Sequence, residues 1–191
     1  MQHKAQVIIG HLAALALALA CQPAFAQVAV QPPAAGPAPA QVVIPPHAAG
    51  AEHAARPARL EAVVEMDMAE WQFGAPVFRV PVGKTIGFHL HNEGVVLHEL
   101  AIGRGPEVVN GVTEGYATNL FTELESDLFF YWGGSRVELE GARFEELEVD
   151  PGLQDIWIRL AIPQAFAGEW EIGCFTPGHY EAGMHATLIV E

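Results

Sequence analysis

Residues 170–190 read WEIGCFTPGHYEAGMHATLIV and contain two short alternating strands separated by a loop. On the first strand, Trp170, Ile172 and Cys174 occupy every second position, so their side chains point to the same face. On the second strand, Met184 begins a series of apolar residues that continues at every second position to the end of the strand. Because the apolar face of a strand is buried, this pattern predicts that both sulfur atoms lie at the rim of a core.

The loop between the two strands adds an imidazole, His179, between the thiol and the thioether. Cysteine, histidine and methionine together are the soft ligand set that favours copper over zinc, calcium or magnesium. His98 is the candidate for a second imidazole, because alternation places it with Leu100 on the inward face of an upstream strand. A buried histidine can equally be an ordinary core residue, and Cys174 can be an inert buried thiol beside an unrelated loop histidine.

The chain from about residue 58 onwards predicts an all-β domain. Short alternating segments separated by turn residues are typical of a Greek-key β-sandwich. The predicted strands are 60–68, 77–80, 85–91, 95–102, 137–139, 143–149, 155–162, 169–174 and 184–190. The residues Asn92, Glu93 and Gly94 predict a tight turn, so we expect the strands on either side of it to pair as neighbours.

One segment, 104–134, is longer than a minimal sandwich of this kind requires. Leu120, Leu124 and Leu128 recur at the spacing of one helical turn. We therefore expect a partly helical insertion in this segment, with a helix that begins near Asn119.

Two segments resemble the ligand-bearing segments of the cupredoxins, the type 1 (blue) copper family of plastocyanin, azurin and auracyanin. The first is NEGVVLHEL at 92–100, and the second is CFTPGHYEAGM at 174–184. The chain is most similar to exported, plastocyanin-like bacterial copper proteins whose loop reads Cys-x4-His-x4-Met. The resemblance extends over residues 58–191 and implies a cupredoxin-like sandwich.

The resemblance also implies the cofactor, one type 1 copper ion, and its ligands. The in-plane ligands would be His98, Cys174 and His179, and the axial ligand would be Met184. In the family, electrons leave through the loop histidine, and the apolar patch around it would here comprise Pro177, Gly178, Ala182 and Gly183. Glu99 departs from the family, which often has asparagine at this position, so the side-chain support of the ligand strands differs. A backbone N–H can still donate to the cysteine sulfur.

The beginning of the chain predicts export. Residues 1–26 combine a short basic start, an apolar run rich in alanine and leucine, and an Ala-x-Ala cleavage site, as in a signal peptide. Lipid anchoring at Cys21 is the competing interpretation, but the residues before it fit a lipid-attachment site less well. We expect a periplasmic or secreted protein. Cleavage leaves Cys174 unpaired, and metal ligation would protect such a thiol in an oxidising compartment.

The cleaved chain divides into two parts. Residues 27–57 are rich in proline and alanine and contain little charge, which predicts a disordered linker. Residues 58–191 have the length of one domain, here the cupredoxin domain. No apolar run after the signal peptide is long enough to cross a bilayer, so we expect no integral membrane span.

The charge of the chain restricts its partners. The formal net charge is -14, and removal of the signal peptide takes away Lys4 and changes it to -15. Nucleic acid is an unfavourable partner for such a protein. We expect a monomer that meets a redox protein, for which a basic cytochrome would be steered by its opposite charge. Solubility alone explains the charge equally well.

Two functions remain open from the residues. The first is a carrier of single electrons between redox partners, and the alternative is a periplasmic copper-binding protein for copper resistance, sequestration or delivery. The alternative would be favoured if Met66 and Met68, or His89 and His91, held a second copper ion. Core packing or a surface position also explains each pair, and the dense methionine and histidine tracts of many copper-storage proteins are missing. We predict the electron carrier.

An enzyme is not expected. A multicopper oxidase requires several His-x-His pairs for its trinuclear cluster, whereas this chain has one, His89-Leu90-His91. The binuclear copper centre of an oxidase subunit requires two cysteines in one loop. A zinc hydrolase uses harder ligands and leaves a position open for water.

Overall fold

The computed structural model describes residues 55–191. The predicted signal peptide, 1–26, and the predicted linker as far as residue 54 lie outside the described residues. Ala55, near the end of the predicted linker, is buried, and its N–H donates to Oδ2 of Asp155 at 2.9 Å. Within the described range, no helix has the length and apolar character that crossing a membrane would require.

The described chain consists almost entirely of short strands joined by turns. The strands are β1 (Ala62–Ala69), β2 (Gln72–Phe73), β3 (Val77–Val80), β4 (Thr85–Asn92), β5 (His98–Val109), β6 (Val112–Asn119), β7 (Ser126–Trp132), β8 (Ser135–Ala142), β9 (Leu147–Val149), β10 (Ile156–Ala161), β11 (Gly168–Gly173) and β12 (His185–Val190). The helix α1 spans Leu120–Glu123, and Gln164–Phe166 form a 3-10 turn.

These strands form two sheets that pack as a sandwich. One sheet has the order β2-β1-β4-β10-β7-β8, and the other has the order β3-β12-β11-β5-β6 with β9 paired to β5. Most neighbours are antiparallel, but β1 runs parallel to β4, and β3 runs parallel to β12. The all-β sandwich that alternation predicts is confirmed.

The main core is built from alternating side chains of both sheets. Ile86, Phe88 and Leu90 of β4 are fully buried in it, together with Trp170 and Ile172 of β11. Burial of a large apolar side chain stabilises the fold by about 1.5–3 kcal/mol relative to leaving it exposed. The inward face predicted for Trp170 and Ile172 is confirmed.

The first sheet also buries part of its outer face. Val63, Phe129 and Trp157 form a separate cluster there with Leu60, which precedes β1. Leu60 lies directly over Gly87, where an added Cβ atom would be only 2.6 Å from the leucine Cδ1. The segment that precedes β1 therefore covers one end of this face.

Segment 104–134 contains less helix than its leucine spacing suggests. The helix begins where predicted, because the Asn119 side chain caps it by accepting a hydrogen bond from the N–H of Phe121 at 2.9 Å. It lasts for one turn, and the residues around it belong to the β5–β6 and β7–β8 hairpins. The aromatic run 129–132 favours a strand, so Leu128 lies in β7 and not on a continued helix.

The link between β4 and β5 crosses from one sheet to the other, so the predicted pairing of these two strands is wrong. Asn92, at the end of β4, is fully buried and organises the crossing. Its amide donates to the carbonyl oxygens of Val96 at 2.9 Å and Val149 at 2.7 Å, and its Oδ1 accepts from the N–H of Gly94 at 2.9 Å. One side chain thus holds the crossing residues and β9 in place beside the strand that carries His98.

We expect Asn92→Ala to lower the free energy of unfolding of the metal-free protein by about 2–4 kcal/mol, because buried backbone groups would lose their partners. Equilibrium urea unfolding measures the change. Asn110→Gly is the control, since Asn110 is exposed in the β5–β6 turn with a φ of 53°, a conformation that glycine also accepts. Equal stability of the Asn92 variant and the native protein would refute the assigned role.

Candidate metal centre

The end of β11 and the start of β12 hold the loop that carries the predicted ligands. Cys174 follows β11 directly, and its N–H donates to the carbonyl oxygen of Met184 at 3.2 Å. The N–H of Met184 donates in turn to the carbonyl oxygen of His179 at 3.0 Å. Gly178 has a φ of 84°, which glycine adopts without strain, and so turns the chain immediately before His179. The loop is therefore closed by its own backbone.

Three of the predicted ligand atoms converge. Nδ1 of His179 lies 3.4 Å from Sγ of Cys174 and 3.3 Å from Nδ1 of His98, and all three atoms lie within 4.8 Å of one another. Metal–nitrogen bonds of about 2.0 Å and metal–sulfur bonds of about 2.3 Å place neighbouring ligand atoms roughly 3.3–3.8 Å apart. One ion can therefore contact all three atoms with little movement of the chain.

Burial prepares these groups for a metal ion. All three residues are buried, and burial lowers the pKa of both imidazoles, so that they are neutral and carry lone pairs at pH 7. Burial also raises the pKa of the Cys174 thiol, so an ion that binds there must displace the sulfur proton. Two neutral imidazoles and one thiolate are a donor set that suits copper.

The cysteine sulfur is held from the neighbouring strand. The backbone N–H of Glu99 on β5 donates to Sγ of Cys174 at 3.3 Å, and Oγ1 of Thr176 lies 3.5 Å from the same atom. This contact forms because β5 pairs with β11, with Ala101 opposite Gly173. A backbone N–H therefore supports the cysteine sulfur, although Glu99 stands where cupredoxins often have asparagine.

Met184 is fully buried at the start of β12. Backbone hydrogen bonds with Cys174 and His179 place Met184 at the same end of the sandwich as the three converging atoms. Its role as an axial ligand stays a prediction.

Sequence reasoning did not identify Trp71 as a site residue. Trp71 lies in the turn between β1 and β2, and its ring meets the ring of His179 edge-on, with centroids 4.6 Å apart and planes at 80°. The tryptophan is 48% exposed, whereas His179 is only 6% exposed beneath it. The carboxylate of the adjacent Glu70 accepts a hydrogen bond from the N–H of Val95, which ties this turn to the β4–β5 link. No local pattern signals this contact, because it depends on how distant turns meet.

Glu99 carries an unusual carboxyl group beside the site. The residue is 8% exposed, and burial together with the nearby Glu146 raises the pKa of its carboxyl to about 7. Its Oε2 atom has no hydrogen-bond partner within the described part of the chain. Glu99 is therefore partly protonated at neutral pH in the metal-free protein.

The two remaining candidate pairs have different surroundings. Met66 and Met68 are fully buried in the main core. His89 and His91 project instead from the outer side of the first sheet, where both approach Glu65. The methionine pair is therefore part of the packing, whereas the histidine pair belongs to a second polar cluster.

Comparisons with known proteins give structural similarity but no relative in sequence. No family model matches the chain, and no curated protein matches it. Reduced auracyanin from Roseiflexus castenholzii is 17% identical, with a TM-score of 0.43 over 68% of this chain and 96% of its own. Auracyanin A from Chloroflexus aurantiacus, a "blue" copper protein, is 18% identical, with a TM-score of 0.43 over 68% and 98%. A multicopper oxidase from Campylobacter jejuni is 14% identical, with a TM-score of 0.48 over 67% of this chain but 29% of its own.

We expect Glu99→Gln to stabilise the metal-free protein at pH 8 by about 1–3 kcal/mol and to have little effect near pH 4. The raised pKa means that folding favours the protonated carboxyl, so its contribution is complete below about pH 4.5 and is lost as the pH rises to about 7. Urea unfolding at several pH values measures this difference. Glu140→Gln, a change at an exposed position on β8, is the matched control. A gain that is the same at pH 4 and pH 8 would contradict the interpretation.

Proposed function

We propose that this protein is an exported cupredoxin-type copper protein that carries single electrons between redox partners. The observation that carries the proposal is the convergence of Nδ1 of His98, Sγ of Cys174 and Nδ1 of His179 in a buried site. A bound copper ion would carry the electron, because copper in a ligand set of this type cycles between Cu(II) and Cu(I). Met184 is proposed as the weak axial ligand.

The way in which the chain holds these ligands favours an electron carrier over a copper-delivery protein. His98 and Cys174 are attached to paired strands, and the loop of His179 is closed by hydrogen bonds at its base. A site held in this way changes its shape little when the charge of its ion changes, and its burial opposes ion exchange. Met66 and Met68, which would have supported copper handling, lie in the core. We therefore propose no catalytic role and no role in copper delivery.

A small apolar surface near His179 is the proposed contact for redox partners. Trp71 is partly exposed on the ring of His179. The exposed residues of the ligand loop are Pro177, Gly178, Glu181, Ala182 and Gly183, so the Glu181 carboxylate borders the apolar residues. A small contact surface suits the brief, weak encounters between electron-transfer partners.

Acidic residues close to the ligand loop support a basic partner. A cleft that includes Phe175, the residue after Cys174, is lined by five glutamates: Glu107, Glu114, Glu123, Glu145 and Glu146. Together with the net charge of -14, this cleft would attract a cationic redox protein such as a basic cytochrome. From the character of residues 1–26 we propose that the encounter takes place in the periplasm or outside the cell.

Addition of Cu(II) to the purified protein tests the function. We expect one ion per chain at the centre that contains Cys174, an intense visible band from thiolate-to-copper charge transfer, and loss of that band in Cys174→Ser. The ion should remain bound through repeated reduction by ascorbate and reoxidation, as measured by copper content after each cycle. Met66→Leu is the control, because this side chain is a core residue and not a ligand.

The same experiment separates the carrier from the alternative function. Rapid exchange of the ion at the Cys174 centre with a copper chelator, or loss of that ion on reduction, would favour sequestration or delivery. Absence of a sulfur-dependent band would reject the copper centre itself.

We expect Trp71→Ala to increase severalfold the rate at which a small cationic cobalt(III) complex oxidises the reduced protein. The substitution uncovers His179, and electron transfer becomes faster as the distance between donor and acceptor falls. Stopped-flow absorption measures the rate. Trp132→Ala is the matched control, since Trp132 is 77% exposed on the β7–β8 hairpin. An unchanged rate in Trp71→Ala would show that electrons do not leave beneath this ring.

A further inference from the structure

A second cluster of metal-ligating side chains lies on the outer face of the first sheet. Glu65 on β1 is the register partner of His89 on the parallel strand β4, and His91 follows two residues later on the same face. Nδ1 of His89 lies 2.7 Å from Oε2 of Glu65 and 3.0 Å from Nε2 of His91, and the latter atom lies 3.6 Å from the same carboxylate oxygen.

We propose that Glu65, His89 and His91 form a second, sulfur-free site for one divalent transition-metal ion of the zinc type. Two imidazole nitrogens and one carboxylate oxygen are a common zinc donor set, and water completes it in sites that have three protein ligands. The exposed fractions of the Glu65 and His91 side chains, 32% and 20%, leave room for such a water.

The spacing of the three atoms allows one ion to contact all of them. Bonds of about 2.0–2.2 Å from one tetrahedral ion place its ligand atoms roughly 3.3–3.6 Å apart. The separation of 3.6 Å between His91 and Glu65 fits this range, and the two shorter separations would open by a few tenths of an ångström. Without an ion, Nδ1 of His89 and Nε2 of His91 can each donate a proton toward Oε2 of Glu65. A single cation between the three atoms satisfies all of them.

Asp155 lies behind His89, on the side away from the cluster. Nε2 of His89 lies 3.4 Å from Oδ1 of Asp155, so this carboxylate would favour a proton on Nε2 once an ion replaces the proton between Nδ1 and Glu65. A carboxylate behind a ligating histidine fixes the tautomer in this way at many metal sites. Asp155 is itself held, because Oδ1 accepts from Nε1 of Trp157 at 2.7 Å and Oδ2 accepts from the N–H of Ala55 at 2.9 Å.

The electrostatics of the cluster agree with this geometry. Burial opposes ionisation of Glu65, but its hydrogen bonds with His89 and His91 lower its pKa to about 2, so it is a carboxylate at neutral pH. Burial lowers the pKa of His89, which keeps this imidazole neutral. The hydrogen bond with Glu65 raises the pKa of His91, so an ion competes with a proton mainly at that residue.

Zinc titration of the full chain tests the proposal. The double variant Cys174→Ser/His179→Ala removes two ligands of the first centre and serves as the background, with isothermal titration calorimetry as the measurement. We expect this background protein to bind one equivalent of Zn²⁺. Glu65→Gln and His91→Ala, each added separately, should weaken that binding by more than about tenfold, and Asp155→Asn should weaken it by about tenfold.

His185→Ala is the matched control, because His185 is an exposed histidine outside the cluster. It should leave the affinity for zinc unchanged. Circular dichroism shows whether each variant is folded. If His91→Ala does not fold, Glu65→Gln alone tests the proposal. A background protein that binds no zinc, or equal affinity in the background and in a folded Glu65→Gln variant, would overturn the proposal.

The fluorescence of Trp157 tests independently where the ion binds. Its ring stacks on the ring of His89, with centroids 3.9 Å apart and planes at 12°. In the same background, Cu²⁺ at the second site should quench Trp157 fluorescence. The quenching should disappear in Trp157→Phe and persist in Trp71→Phe. Quenching that survives Trp157→Phe unchanged would place the ion elsewhere and so reject the site.

Discussion

The pairing of β5 with β11 is the constraint on which the candidate centre depends. It brings the strand of His98 beside the strand that ends at Cys174, and it directs the N–H of Glu99 to the cysteine sulfur. The loop that carries His179 then needs only to be closed at its base, which two backbone hydrogen bonds with Met184 accomplish. The ligand positions therefore depend on main-chain geometry.

Much of this centre was predictable because its signals are local. The Cys-x4-His-x4-Met loop lies within one stretch of chain, and two-residue alternation assigns Cys174 and His98 to inward faces without knowledge of the fold. The same periodicity predicts the sandwich. The contacts of Asn92 and Trp71 were not predictable, because each depends on segments that are distant in sequence. A turn such as 92–94 looks the same whether it joins neighbours in one sheet or crosses between sheets, and the buried amide of Asn92 serves the second case.

Competition between local preferences explains why segment 104–134 contains less helix than its leucine spacing predicts. The leucine spacing indicates a helix and the Asn119 cap starts one, but the aromatic residues that follow favour an extended strand beside β10. The second cluster shows a related limit. His89 and His91 are recognisable as a pair from their spacing alone, whereas Glu65 joins them only through the parallel register of β1 and β4. Asp155 reaches His89 from the loop before β10, which no spacing rule connects to that strand.

Differences in donor type and burial would keep the two clusters chemically distinct. The sulfur-containing cluster lies at the buried rim of the core, where water is excluded and soft ligands favour copper. The sulfur-free cluster lies on the outer face, where a carboxylate and partial exposure favour an ion of zinc type that undergoes no redox change. Because the two sets share no residue, an ion at the outer cluster would join β1 to β4 without altering the ligands at the rim. In this proposal, the outer ion would stabilise the sheet and the copper at the rim would carry the electron.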